Sequence, residues 1–202
     1  MEVNAPTLRT PRLLLRRWRE EDREPYAAMN ADPEVREFFP ELLTRELSDA
    51  QIAVFEEHLD QHGFGMWALE LIATGELLGF AGMDLATYDA HFAPAVEIGW
   101  RLRRSAWGNG YATEAARECL RFGFEELELA EIVAATAVAN RRSRAVMERL
   151  GMVHDAAEDF EHPEVAAGHP LARHVLYRLR AQQWRGGAGP HAAPGAGRSI
   201  YG

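Results

Sequence analysis

The sequence predicts an α/β fold of the α+β kind, a mixed and mostly antiparallel central sheet flanked by helices. Segments with an apolar period of two alternate along the chain with segments of period 3.6, and several strands follow one another through short turns. Near the middle, an alternating run at 96–102 leads to the turn Trp107-Gly108-Asn109-Gly110, which passes directly into an amphipathic helix. Strand, glycine loop and helix N-terminus in that order make an anion cradle. Glycines let the backbone approach a phosphate, and the unpaired N–H groups of the first helical turn point at it with the positive end of the helix dipole. A phosphate-bearing ligand is implied.

Each element has its own signal. Leu13, Leu14 and Leu15, entered through Thr10-Pro11, begin a first strand, and 20–30 follows as a helix that tolerates Pro25 in its first turn. Ser48-Asp49 is expected to cap a helix reaching His62, with Ile52, Phe55 and Leu59 on one face and Gly63 as its stop. Two strands at 66–72 and 77–85 are joined by the turn Ala73-Thr74-Gly75-Glu76. The strand 95–102 precedes the glycine loop, and the helix after it runs from Tyr111 to about residue 126. A strand at 132–138, a helix at 141–150 closed by Gly151, a strand resuming at Met152, a loop at 161–173 and a last strand at 174–179 complete the pattern. The domain is expected to span 8–185, with a Gly/Ala/Pro-rich tail at 186–202.

Composition narrows the class. A chain of 202 residues with 47% apolar content fits one globular domain with a sizeable core. No apolar run approaches the ~20 residues of a membrane helix, and the N-terminal residues lack a signal-peptide pattern, so no membrane role is expected. Cys119 is the single cysteine, which rules out an internal disulfide and suits a reducing cytoplasm. A formal charge of −9 argues against nucleic acid and favours, if anything, a cationic partner such as an amine. All fixed side-chain cations are arginine. The histidines crowding the C-terminal part show no ligand spacing, so no metal is expected.

The glycine loop fits neither of two common phosphate fingerprints. There is no G-x-x-x-x-G-K-[ST], and no third glycine stands at Thr113 to complete G-x-G-x-x-G. Four other segments carry a closer likeness: Glu97-Ile98-Gly99-Trp100-Arg101-Leu102, Trp107-Gly108-Asn109-Gly110-Tyr111-Ala112-Thr113-Glu114-Ala115, Ala139-Asn140-Arg141-Arg142-Ser143, and Arg149-Leu150-Gly151-Met152. With these, in this order, the chain resembles the GNAT superfamily of acetyl-CoA-dependent N-acetyltransferases, most of all the branch with the ribosomal-protein N-terminal acetyltransferases.

The resemblance implies a sheet whose fourth and fifth strands splay apart to admit acetyl-CoA. It implies that the strand backbone at Ile98, Trp100 and Leu102 pairs with the pantetheine arm, and that Trp107, Gly108, Asn109, Gly110, Tyr111 and Ala112 hold the pyrophosphate. Ser105 stands where the family usually has Gln or Arg, so Arg103 and Arg104 either supply the missing charge or form a solvated edge. Asn140 is a helix N-cap, alone or with a second contact to the cofactor. The amine acceptor implied is a peptide or protein N-terminus, or alternatively a small amine; an acyl-CoA sensor without turnover is a third reading. A homodimer is a further expectation.

The reaction needs a base for the acceptor ammonium, a donor for the developing oxyanion and a proton for the leaving thiolate. Glu97 lies in a mostly apolar strand, where burial raises a carboxylate pKa toward that of a useful base; the alternative is a structural partner for an arginine. A backbone N–H at Ile98 or Gly99 suits the oxyanion. Met147 occupies the position where many relatives carry an acid tyrosine, leaving Ser143 as the candidate donor beside a plain solvated serine.

Overall fold

The structure is a computed structural model and describes residues 5–184; the expected tail at 186–202 lies outside the described residues. The strands are β1 (Leu8–Arg9), β2 (Leu13–Arg16), β3 (Met66–Leu71), β4 (Glu76–Ala86), β5 (Ala95–Leu102), β6 (Glu131–Ala137), β7 (Val153–His154), β8 (Phe160–Glu161) and β9 (Arg173–Arg180). The helices are α1 (Arg23–Asn30), α2 (Arg45–His62), α3 (Tyr111–Arg121) and α4 (Arg141–Arg149). The strands form one sheet in the order β1-β2-β3-β4-β5-β6-β9-β7, with β8 on β9. Every pairing is antiparallel except β5 with β6.

That exception creates the functional opening. β4 and β5 pair over eight residues, from Gly79↔Leu102 to Ala86↔Ala95. β6 pairs β9 over its whole length. Between them, β5 and β6 share the single register pair Glu97↔Val133 and then diverge. These are the fourth and fifth strands of the sequence reading, shifted by one because the two-residue β1 precedes them.

The core has one large cluster on the sheet and a second, smaller one of Ala86, Phe92, Val133, Phe160 and Leu176. Trp67, Tyr26, Leu13, Leu15, Leu59, Leu69 and Met83 are among its fully buried side chains. Phe55, Phe80, Trp18 and Tyr26 pack against one another between α1, α2 and the strands, Trp18 stacked on Phe55 and the other pairs edge-on or tilted. α3 buries Ala115, Ala116, Cys119 and Leu120, as its apolar stripe predicts, and then widens into a π-helical stretch at Phe122–Glu126.

One cap differs from expectation. α2 begins at Arg45, and Thr44, not Ser48, accepts the N–H of Leu47. Ser48 lies within the helix, fully buried, where its hydroxyl accepts from Asn30 Nδ2 at 3.2 Å. Both residues are good caps in isolation; the tertiary partner on α1 decides which is inside. Among the described residues, no helix is long and apolar enough to cross a membrane.

Candidate active site

A cleft of about 1740 Å³ runs through the gap between β5 and β6. That exceeds the few hundred to ~1,000 Å³ of an ordinary small-ligand pocket, enough room for two substrates. On one side of the sheet it is walled by the glycine loop and the N-terminal turns of α3 and α4. It also reaches Val35, Phe38, Phe39, Met66 and Phe80.

The glycine loop is built to expose amides. Gly108 and Gly110 both adopt φ near 78°, a left-handed conformation, with nothing within 4 Å of where a Cβ would stand on Gly108. Gly110 caps α3 without any side chain, and the first helical bond runs from Glu114 N to Gly110 O. The amides of Tyr111, Ala112 and Thr113 therefore have no protein partner among the described residues. Arg12 anchors the loop, donating to Asn109 O at 3.0 Å and to Glu114 Oε2 at 2.6 Å while covering the Tyr111 ring. The same pairing neutralises Glu114, whose charge would otherwise repel an anion at the helix start.

Glu97 bridges the gap. Ala135 N, on the splayed part of β6, donates to Glu97 Oε1 at 3.1 Å, and Tyr88 Oη donates to Glu97 Oε2 at 3.0 Å. The carboxylate thus takes the place of a missing backbone acceptor. Burial pushes the Glu97 pKa up to about 7, against the two hydrogen bonds that lower it; the neighbouring Asp84 and Glu164 add to the rise. Burial and the Glu97 charge both push the Tyr88 phenol upward, so it stays a hydrogen-bond donor at neutral pH.

Residues 12–153 match the family described as the acetyltransferase (GNAT) domain. The chain belongs to the GNAT acetyltransferases. It is 35% identical over 196 residues to the FsC-acetyl coenzyme A-N(2)-transacetylase of Aspergillus fumigatus, covering 91% of this chain and 80% of that one. It is 36% identical over 91 residues to the putative ribosomal N-acetyltransferase YdaF of Bacillus subtilis, a partial match spanning 45% of this chain and 48% of that one. A GNAT acetyltransferase structure from Bacillus anthracis superimposes with a TM-score of 0.73 at 24% identity, covering 88% of this chain and 99% of that one. The protein is an N-acetyltransferase. The ribosomal name attaches to a relative that matches less than half of the chain and to a Vibrio cholerae structure at 18% identity, a likeness of fold alone.

The fold brings most of the sequence-derived site residues of this acetyltransferase together. Glu97, Ile98, Trp100, Leu102, Trp107, Gly108, Gly110, Tyr111, Ala112, Asn140 and Ser143 all line the cleft. Three others are placed elsewhere. Arg103 pairs with Glu76 at 3.1 Å and Arg104 with Glu34, and neither lies on the cleft wall. The Asn109 side chain turns back onto the carbonyls of Ala106 and Trp107, shaping the loop.

The cationic wall comes instead from Arg9, Arg117, Arg141, Arg142 and Arg149, which sequence reasoning missed. Their signal was helical spacing. Arg142 and Arg149 stand seven apart on α4, one face of a helix, and Arg142 lies 4.4 Å over the Trp107 ring. His162 packs tilted against Tyr88 with ring centroids 4.7 Å apart. Among the described residues, no group of three or more His, Cys, Asp or Glu is placed to hold a metal.

Asn140 is fully engaged as a cap. Its Oδ1 accepts Ser143 N at 3.1 Å and its Nδ2 donates to Thr136 Oγ1 at 3.0 Å, fixing β6 to α4. Asn140→Ala is expected to cost about 1 kcal/mol, a fall in Tm of roughly 2–4 °C for a domain of this size. Calorimetry of acetyl-CoA binding to the same variant separates the two roles. An unchanged Kd fits the cap alone, and a tenfold weakening adds contact with the cofactor.

Proposed function

We propose that the protein transfers acetyl from acetyl-CoA to a small primary amine by direct attack. The observation that carries this reading is Glu97, a carboxylate with a pKa near neutrality set at the divergence of β5 and β6. Acetyl-CoA supplies the activated thioester carbonyl. The amides of Tyr111, Ala112 and Thr113 and the flanking arginines suit its pyrophosphate, and the free edge of β5 suits its amide-bearing arm.

Glu97 takes a proton from the acceptor ammonium, releasing a neutral amine whose nitrogen forms the new C–N bond. A backbone N–H at Ile98 or Gly99 stabilises the oxyanion. As the C–S bond breaks, Ser143 or water protonates the thiolate; the Ser143 hydroxyl has no hydrogen-bond partner among the described residues and lines the cleft. The products are an N-acetyl amide and free coenzyme A.

A small amine fits the acceptor half better than a peptide. Its walls are aromatic and acidic, with Phe38, Phe39, Phe80 and Tyr88 beside Asp84, Glu97 and Glu164. The Aspergillus relative, whose name describes N(2) acetylation from acetyl coenzyme A, points the same way. Release of free thiol from acetyl-CoA, measured across small primary amines and short peptides with free N-termini, tests this. Faster turnover with small amines is expected. Faster turnover with peptides would restore the N-terminal reading, and none with any amine would leave an acyl-CoA-binding protein.

A further inference from the structure

Arg101, which lines the cleft, and Arg36, which shares the Phe39 ring with it, form a cationic pair with no ion-pair partner among the described residues. Arg101 is buried, 9% exposed, and lies on the same face of β5 as Glu97. Its guanidinium sits 4.2 Å over the Phe39 ring and 5.1 Å over the Phe80 ring, and both rings line the cleft. Arg36, 7% exposed, lies 4.4 Å over the same Phe39 ring and donates to the Glu41 carbonyl. Among the described residues, neither guanidinium has a carboxylate within the 4.0 Å of an ion pair. Of the acidic side chains in the intervening loop, Glu34 pairs with Arg104, Glu37 pairs with Arg142 and Asp32 accepts from Glu34 N, while the Glu41 charge acts on Arg36 from beyond ion-pair distance and leaves Arg101 without a carboxylate.

Buried charges are ordinarily paired, because the desolvation cost otherwise stands uncompensated. Two aromatic faces and one hydrogen bond, from Arg101 Nη1 to Asn30 Oδ1 at 2.9 Å, offset part of that cost. Arg101 Nε is buried without a partner, and Nη2 makes no hydrogen bond with a described residue. Those two N–H groups lie along one edge of the guanidinium; Nε is enclosed, and Nη2 is the group left to donate to an incoming carboxylate. Desolvation lowers the Arg101 pKa to about 10, which leaves it charged at neutral pH. The acceptor half is therefore dipolar, with Glu97, Asp84 and Glu164 at one end and the paired arginines at the other.

We propose that Arg101 anchors a carboxylate of the acceptor, so that the substrate is an amino carboxylate with its amine at Glu97 and its carboxylate at Arg101. This rests on the acetyltransferase reading above. Glu97 and Arg101 stand four residues apart on one strand, about 13 Å between Cα atoms at the usual rise. That separation calls for an extended substrate of the ω-amino acid type, in which several carbons part the two groups.

The test uses matched pairs of amines, each ω-amino acid beside its carboxamide, with thiol release giving kcat and KM for both. The wild-type protein should favour the carboxylate at least tenfold in kcat/KM, chiefly through KM, and most strongly for the longer chains. In Arg101→Gln the ratio should collapse toward one, and Arg101→Lys should restore part of it. Melting temperature and acetyl-CoA affinity, measured on each variant, separate lost recognition from lost folding. A wild-type ratio near one overturns the proposal even if neutral amines turn over well. So does a ratio that survives in a folded Arg101→Gln, or one that a folded Arg101→Lys restores no better than Arg101→Gln does. Absence of thiol release with every amine would instead remove the acetyltransferase reading, and the proposal with it.

Discussion

Glu97→Gln is expected to lower kcat/KM by roughly 10²–10⁴-fold, the usual contribution of a positioned general base. The wild-type kcat/KM should rise with pH to an inflection near the Glu97 pKa of about 7 and then level off. The variant should lose that inflection. Glutamine keeps an oxygen for Ala135 N, and its NH2 group can donate to Tyr88 Oη once the hydroxyl turns to accept, so the bridge across the gap stays formed. Stability should move the other way. The folded pKa lies above the unfolded value, so between about pH 4.5 and 7 folding retains a proton that the unfolded chain releases. Wild-type stability falls as pH rises through that window, and the deficit persists above it. Glu97→Gln does not titrate, so at pH 8 it should be more stable than wild type by on the order of 3 kcal/mol, at 1.36 kcal/mol per pKa unit, and melt at a higher temperature. Thermal melts and pH–rate profiles read both effects. A variant that keeps its activity, or that melts below wild type at pH 8, contradicts the role given to this carboxylate.

Gly82→Ala carries the largest expected loss of stability. A Cβ at this position on β4 would stand 1.9 Å from Gly65 O and 2.8 Å from Met66 Cα, both backbone atoms that no side-chain rotation can clear. The same carbonyl accepts Met83 N at 3.1 Å, so moving it breaks a hydrogen bond between the start of β3 and β4. Overpacking of this severity costs about 3 kcal/mol, a drop in Tm of roughly 6–12 °C at this chain length. Differential scanning fluorimetry reads it directly. A shift of less than about 2 °C would mean that β3 and β4 can separate at this point without penalty.

Much of the donor side was legible in the sequence because its signals are local. The strand at 95–102 has the boundaries its alternation implied, and the glycines at 108 and 110 adopt the left-handed conformations that only glycine takes readily. Asn140 announces a helix start by residue type alone. What stayed hidden depends on distant partners. Arg103 and Arg104 adjoin the loop in sequence, yet Glu76 and Glu34 draw them away, and nothing local reports those pairings. The alternation of β5 places Arg101 and Glu97 on one face, but the meeting of Arg101 with Asn30 and Phe39 needs the packing of α1 and its following loop. Ser48 was expected as the cap of α2, but Asn30 holds it inside the helix and Thr44 caps instead.

The central claim is that the gap between β5 and β6 is the acetyl-CoA site, and a thermal melt against acetyl-CoA concentration tests it most directly. At a hundredfold excess over Kd, a ligand that binds only the folded state adds about 2.7 kcal/mol, which should raise Tm by roughly 5–10 °C. Coenzyme A, which shares the pyrophosphate and the arm, should produce a shift of the same order. No shift with either ligand at millimolar concentration would contradict the account.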